Sequence, residues 1–365
     1  MGRAVALTSE FVFALCQRGA ETALKREAAR ALPELAPAYQ RPGLVTFRAR
    51  RPVGPGVQLP LVFARASGMS LGSARDLAAA VALLEALKLD APLCLHVVER
   101  DRFRPDEEPP GYQRGQLSAT IEQQVRAALP RTFSTSSWPE RDQLVLTVIV
   151  APDEPWLLGL HTHGSERSPH PGGRTPIDVP AEAPSRAYAK IEEAIEAFAL
   201  PVRAGDVALE LGAAPGGAAY ALLRRGVSVW GVDPAEMDAR ALAFVGPHAA
   251  RLTHLQMPMA ALRREMLPEH VDWLLMDVHL APQVALKTAR RLASWYRGSL
   301  AGMVLTLKLN DWSFAERLGS FLAQAREMGI EAPHARQLAS HRQELCIAGL
   351  TARGRQRTPE KSGPA

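Results

Sequence analysis

The sequence predicts an α/β protein in two parts, a carboxy-terminal doubly wound parallel sheet preceded by an α+β amino-terminal half. Three observations carry this. An apolar run, Val207 to Leu211, breaks into Gly212-Ala-Ala-Pro-Gly216-Gly217 and then a helical pattern. A second apolar run, Val227 to Val232, ends in an acid, Asp233. From residue 183 onward strand-like and helical patterns alternate, the signature of a sheet wrapped by crossover helices.

In chain order, short β-like runs (Phe11 to Leu15, Leu44 to Phe47, Leu61 to Ala64) come first, with helical patterns from Glu21 to Leu32 and from Ser73 to Leu87. Strands Leu93 to Glu99 and Leu144 to Val150 then flank a helix from Leu117 to Leu129. Pro105, Pro109, Pro110 and Gly111 mark the Arg100–Arg114 stretch as a mobile loop. This half, residues 1–165, is α+β with no nucleotide-type turn. The composition shifts between Ala151 and Pro184 to Pro, Gly, His and Ser, and 166–183 is expected as a linker. His161, His163 and His170 are expected to be solvated loop histidines, because no fourth ligand on a rigid element accompanies them.

The second half, 184–351, opens with Ser185 capping a helix that runs through Lys190 to Phe198. Five strands follow: Val207 to Leu211, Val227 to Val232, Leu252 to Gln256, Val271 to Met276 and Met303 to Leu309. Helices are expected from Pro282 to Tyr296, with proline in its first turn, and from Trp312 to Met328. Glu344 to Ala348 is expected to close the sheet as an antiparallel edge, and 352–365 to be a disordered basic tail.

Composition bounds the rest. At 365 residues and 47% hydrophobic content the chain can bury two cores, and no apolar run reaches membrane-spanning length. Cys16, Cys94 and Cys346 are too scattered for a disulfide framework or a metal knuckle, so a soluble, cytoplasmic protein is expected, with no metal. A net charge of +5 favours a polyanionic partner only slightly. Lysine is scarce: Lys25, Lys88, Lys190, Lys287, Lys308 and Lys361 are the only ones. Lys308 is the one kept inside an apolar strand, and an amine, unlike a guanidinium, can lose its proton.

Strand, glycine turn and helix leave bare backbone for a ligand outside the carboxyl ends of the strands, and Asp233 stands where such folds grip a ribose. A dinucleotide fingerprint is G-x-G-x-x-G; here the second position is Ala214, followed by Pro215, a poor cradle for pyrophosphate. Four polar residues stand at the functional ends of this half. Lys190 lies on the helix before the first strand, Asp277 ends the fourth, Lys308 the fifth, and Glu344 opens the last. Taken singly, each is equally a strand-end charge turned to water; as a set, they suggest a site.

The segments Ala183 to Glu193, Leu209 to Gly217, Leu274 to Asp277, Leu305 to Leu309, Ala335 to Leu338 and Arg342 to Glu344 resemble the FtsJ-type ribose 2′-O-methyltransferases, which carry a Lys-Asp-Lys-Glu tetrad. The resemblance is close over residues 183 to about 350 and rests on element order and local patches such as Gln17 to Glu21 before that. It implies a Rossmann-like methyltransferase domain after a THUMP-type RNA-binding half, S-adenosylmethionine as cofactor, and a ribose of 23S rRNA, a cytidine, as acceptor. It implies Lys190, Asp277, Lys308 and Glu344 as catalytic residues, with Ser185, Gly212, Ala214, Pro215, Gly216, Gly217, Asp233 and Asp277 lining the cofactor site. Chemistry fits: a 2′-hydroxyl must shed a proton as it attacks a methyl, and Lys308 is expected to take it. Lys190 and Glu344 would orient the ribose. The family commonly has an acid facing the adenine after the third strand, where this chain reads Gln256-Met-Pro-Met259. Two alternatives remain open: an RNA-binding relative that has lost catalysis, and a dehydrogenase with an aberrant fingerprint.

Overall fold

The chain divides into two units, Met1–Pro176 and Ile177–Ala365, and the computed structural model describes residues 7–87, 91–104, 107 and 115–357. The break falls within the stretch expected as a linker.

The first unit runs β1 (Ser9–Leu15), α1 (Glu21–Ala31), β2 (Leu35–Arg41), β3 (Leu44–Val53), β4 (Ala66–Ala74), α2 (Leu77–Glu85), β5 (Cys94–Glu99), α3 (Gln116–Ala128), β6 (Leu144–Val150) and β7 (Trp156–Thr162). Its seven strands form one sheet in the order β2-β3-β1-β4-β7-β6-β5. Only β5 and β6 run parallel, joined through α3; the other neighbours are antiparallel. Side chains alternate across a strand, so Leu146 and Val148 of β6 pack with Leu84 of α2 and with Ile121 and Val125 of α3, while Ile149 joins a separate cluster with Phe13, Leu15 and Leu44. One face of the sheet is thereby covered by helices.

Several expectations change here. Leu61 and Phe63 are buried, but Leu61 to Ala64 is not a strand; Glu27 of α1 accepts from the Val62 and Phe63 amides at 2.8 and 3.2 Å, satisfying the backbone without a ladder. Strand β2 was hidden by Pro37, which is tolerated because β2 is an edge and the register slips between Pro37 and Tyr39. Helix α2 starts at Leu77 rather than Ser73, because the Asp76 carboxylate accepts from the Ala79 amide at 2.8 Å and caps it. Strand β7, between β4 and β6, was masked by the Pro/Gly/His-rich residues after it. His161 lies in that strand and is buried, not solvated, and burial lowers its pKa. His170 is buried too, edge-on to the Trp138 ring with centroids 4.7 Å apart. The loop expected between Arg100 and Arg114 lies largely outside the described residues.

The second unit runs α4 (Ala187–Ala197), β8 (Val207–Leu211), α5 (Gly217–Arg224), β9 (Ser228–Val232), α6 (Ala239–Ala243), β10 (Leu252–Leu255), β11 (Trp273–Asp277), α7 (Pro282–Trp295), β12 (Gly302–Lys308), α8 (Leu318–Glu327), β13 (His334–Arg336), β14 (Glu344–Leu350) and α9 (Ala352–Arg355). The sheet order is β10-β9-β8-β11-β12-β14-β13. Strands β10, β9, β8, β11 and β12 are parallel, whereas β14 runs antiparallel to β12. The parallel strands are buried along most of their length; Trp273 is enclosed and donates its indole N–H to Asp206 at 2.7 Å. Helix α7 opens on Pro282 and buries Ala285, Leu286, Ala289, Leu292 and Ala293, one stripe at helical spacing. Each such leucine contributes roughly 1.5–3 kcal/mol.

Two further expectations are corrected. Strand β14 is not the edge: the three-residue β13 pairs along its outer side. The start of the expected tail is ordered, because Thr351 caps α9 and Arg357 bonds Asp206 at 2.8 Å and Asp272 at 2.5 Å. Residues 358–365 lie outside the described residues.

Candidate active site

At the carboxyl end of β8 the chain turns through Gly212 with φ +80°, and a Cβ there would lie 2.2 Å from the Asp277 carbonyl oxygen. Only glycine lets the ends of β8 and β11 come this close. Gly216, at φ +106°, opens α5, and a Cβ on Gly217 would strike the Ser185 hydroxyl. The Ala214–Pro215 peptide is cis. Ser185 accepts from the Ala187 amide at 3.3 Å, so it stands at the amino end of α4 and against the amino end of α5. Asp233, just past β9, accepts from the Ala214 amide at 3.2 Å and the Ala235 amide at 2.9 Å. The glycine turn and the ribose-type acid thus meet in one place, as the sequence implied.

The four charged residues also meet. Lys190 comes from α4, Asp277 from the end of β11, Lys308 from the end of β12, and Glu344 from the start of β14. The antiparallel course of β14 explains the last of these, since the β12–β14 register sets Lys308 directly opposite Glu344. Lys190 Nζ lies 2.9 Å from Asp277 Oδ2 and 2.8 Å from Glu344 Oε2. Lys308 Nζ lies 2.8 Å from Asp277 Oδ1 and 2.5 Å from Glu344 Oε1. Two amines share two carboxylates in a closed, charge-balanced ring. Balance matters, because an unpaired charge here would lose several kcal/mol of hydration without return. The side chain of Lys308 is the most enclosed of the four, 7% exposed against 22% for Lys190 and Asp277.

Burial alone would lower the Lys190 pKa, but the Asp277 and Glu344 carboxylates outweigh it and raise the value above the usual 10.5. Burial works against ionisation of Asp277 as well, yet Lys190 and Lys308 hold it below 3.8. Glu344 is likewise lowered: burial and Asp277 push it up, and the lysines and His341 bring it down.

Sequence reasoning missed three neighbours of this ring. Glu210, in the middle of β8, is buried, and its Oε2 has no hydrogen-bond partner among the described residues. Burial first, then the charges of Asp277 and Asp233, push its pKa well above 4.5. Thr306 and His341 sit 3.4 Å apart (Oγ1 to Nε2), and burial pushes His341 down to about 4. A cavity of about 30 Å³, room for one water, lies among Lys190, Glu210, Asp277, Thr306 and His341. The signal for Glu210 and Thr306 was a polar residue interrupting an apolar strand; nothing local marks His341.

These residues favour one ligand chemistry. Asp233 accepts from the Ala214 amide of a glycine turn that carries no basic residue, a setting that offers nothing to a pyrophosphate and suits a ligand with ribose hydroxyls. S-adenosylmethionine fits that description; a dinucleotide does not. Among the described residues no group of His, Cys, Asp or Glu is arranged to hold a metal ion.

Residues 183–317 match the family model of the FtsJ-like methyltransferases, and they lie in the second unit, whose sheet is Rossmann-like. The chain is also similar to proteins named Ribosomal RNA large subunit methyltransferase M. The likeness is 33% identity to that of Chromohalobacter salexigens, over 50% of this chain and 51% of the relative. It is 31% identity to that of Escherichia coli O1:K1 / APEC, over 51% and 52%, and 28% to that of Pectobacterium carotovorum, over 61% of each. The chain thus spans about half the length of the curated relatives it matches.

Proposed function

We propose that this protein transfers a methyl group from S-adenosylmethionine to a ribose 2′-hydroxyl of 23S rRNA, a cytidine, with the amino-terminal unit as the RNA-binding half. The observation that carries this is the ring of Lys190, Asp277, Lys308 and Glu344 beside the glycine turn. S-adenosylmethionine, when bound, supplies an electrophilic methyl on a sulfonium. The turn from Gly212 to Gly217, with Ser185 and Asp233, holds it by backbone and carboxylate, and Asp277 borders both this site and the ring.

Lys308 Nζ is the proton acceptor. Both amines share the two carboxylates; Lys308, the more enclosed, gives up its own proton to solvent before the transfer and then takes the hydroxyl's, while Lys190 stays the cation. Glu344 and Lys190 position the ribose, Glu344 by accepting and Lys190 by donating a hydrogen bond. The protein contributes alignment and one proton transfer, and no covalent intermediate is needed. The alternative, an RNA-binding relative without catalysis, is favoured by one observation, the Gln256-Met-Pro-Met259 stretch where the family commonly has an acid.

The test is to incubate the protein with S-adenosylmethionine and unmodified 23S rRNA and to map ribose methylation. One methylated cytidine, lost with Lys308→Ala while calorimetry still shows cofactor binding, is the expected result. No cofactor binding by the unsubstituted protein would favour the alternative.

A further inference from the structure

The first unit contains a cleft of about 510 Å³ on its sheet, within the usual range for sites that hold small ligands or single nucleotides. Its floor includes Ile149 and Leu157, from the cluster to which no helix residue belongs, so it opens on the face opposite α2 and α3. Phe11 and Tyr39 stand at its wall, 41% and 46% exposed, although large aromatics on a soluble surface are normally covered. The Arg41 guanidinium lies 4.7 Å from the Tyr39 ring centroid. Ser9, Thr46 and Ser70 add hydroxyls that can donate or accept.

Charge narrows the occupant. Arg41 and Arg100 line the cleft and share a single acid, Glu154, at 3.8 and 2.5 Å, so the cleft keeps one positive charge in excess. A flat aromatic edge, an arginine stacked on it, surrounding hydroxyls and excess positive charge match one chemistry: an unpaired nucleobase with its phosphate. A duplex hides its bases and would gain only the charge.

We propose that this cleft binds one unstacked nucleotide of single-stranded RNA, the base against Tyr39 and Phe11 and the phosphate at Arg41. The proposal rests on the reading that the protein acts on RNA, and it assigns to the first unit a base-reading role beyond shape and phosphate contact.

The experiment uses the full chain with a short fluorescein-labelled single-stranded oligoribonucleotide of mixed sequence, and a duplex of the same sequence as control. Anisotropy is expected to show Tyr39→Ala and Phe11→Ala each binding the single strand about tenfold more weakly, with Tyr39→Trp near the unsubstituted protein and duplex affinity unchanged. Ultraviolet crosslinking should place the RNA on Tyr39 or Phe11. Unchanged affinity in both alanine variants, an equal loss on the duplex, or crosslinks only elsewhere would overturn the proposal. A dimer in sedimentation that Tyr39→Ala abolishes and RNA does not compete away would also overturn it, making a second copy the occupant. The two readings fail separately. Tyr39-dependent binding without any methyl transfer keeps the cleft and removes the enzyme, whereas methyl transfer with RNA bound elsewhere does the reverse.

Discussion

In the proposed mechanism Lys190 and Lys308 play different roles although they share both carboxylates. Lys190 is the fixed cation, and its folded pKa lies above 10.5, so the stability it gives is complete below 10.5 and fades as pH rises through the folded value. Asp277 and Glu344 are lowered below 3.8 and 4.5, so their contribution is complete above those values and fades as pH falls through the folded ones. The ring therefore adds a nearly constant term across the neutral range. Asp277→Asn leaves two ammonium groups to one carboxylate and should cost roughly 3 kcal/mol. Urea unfolding of this variant and the parent should show a constant gap from pH 5 to 9 that narrows below about pH 4. A gap that widens in acid would contradict the assigned charges.

At the scale of elements, the ring is assembled by a helix and three strand ends, and a neighbouring carboxylate locks them in place. Glu193, one turn after Lys190 on α4, accepts from the Ala339 and Ser340 amides at 3.0 and 2.7 Å, tying α4 to the segment just before β14. Glu193→Ala should cost about 2–4 kcal/mol for two buried amides left unsatisfied. It should also lower kcat roughly a hundredfold through misplaced ring residues, with cofactor affinity unchanged; loss of stability alone would mean the tie does not position the site. Elements whose pattern carries their chemistry were legible in the sequence: β8 with its glycine turn, β9 with its acid, and the ends of β11, β12 and β14. Elements decided by distant partners were not. Nothing local tells that Glu27 replaces a ladder under Val62 and Phe63, that an edge position excuses Pro37, or that β13 covers β14. Glu210 is visible as an intruder in an apolar run, but its raised pKa comes from burial and from Asp277 and Asp233, which belong to other parts of the chain.

For the whole molecule, the two units take separate roles in the proposed function, with the transfer chemistry at one sheet and the binding of an unpaired base at the cleft of the other. The carboxy-terminal residues belong to the fold of the catalytic unit. Arg357 bonds Asp206 and Asp272, both buried and set just before β8 and β11, and Arg353 also reaches Asp272 at 3.4 Å, so two arginines balance two acids beneath the strands that end at the site. Arg357→Ala should lower stability by about 3 kcal/mol, as when one partner of a buried pair is removed. Thermal melting of the full chain checks this, and an unchanged Tm would show that these acids are neutralised otherwise.

The central claim is that Lys308 removes the ribose proton. Lys308→Arg keeps the charge and the ring but introduces a group that does not give up its proton in proteins. Single-turnover methyl transfer to 23S rRNA should fall by roughly 10²–10⁴ while S-adenosylmethionine affinity stays that of the parent. Transfer at the parental rate in this variant would contradict the claim.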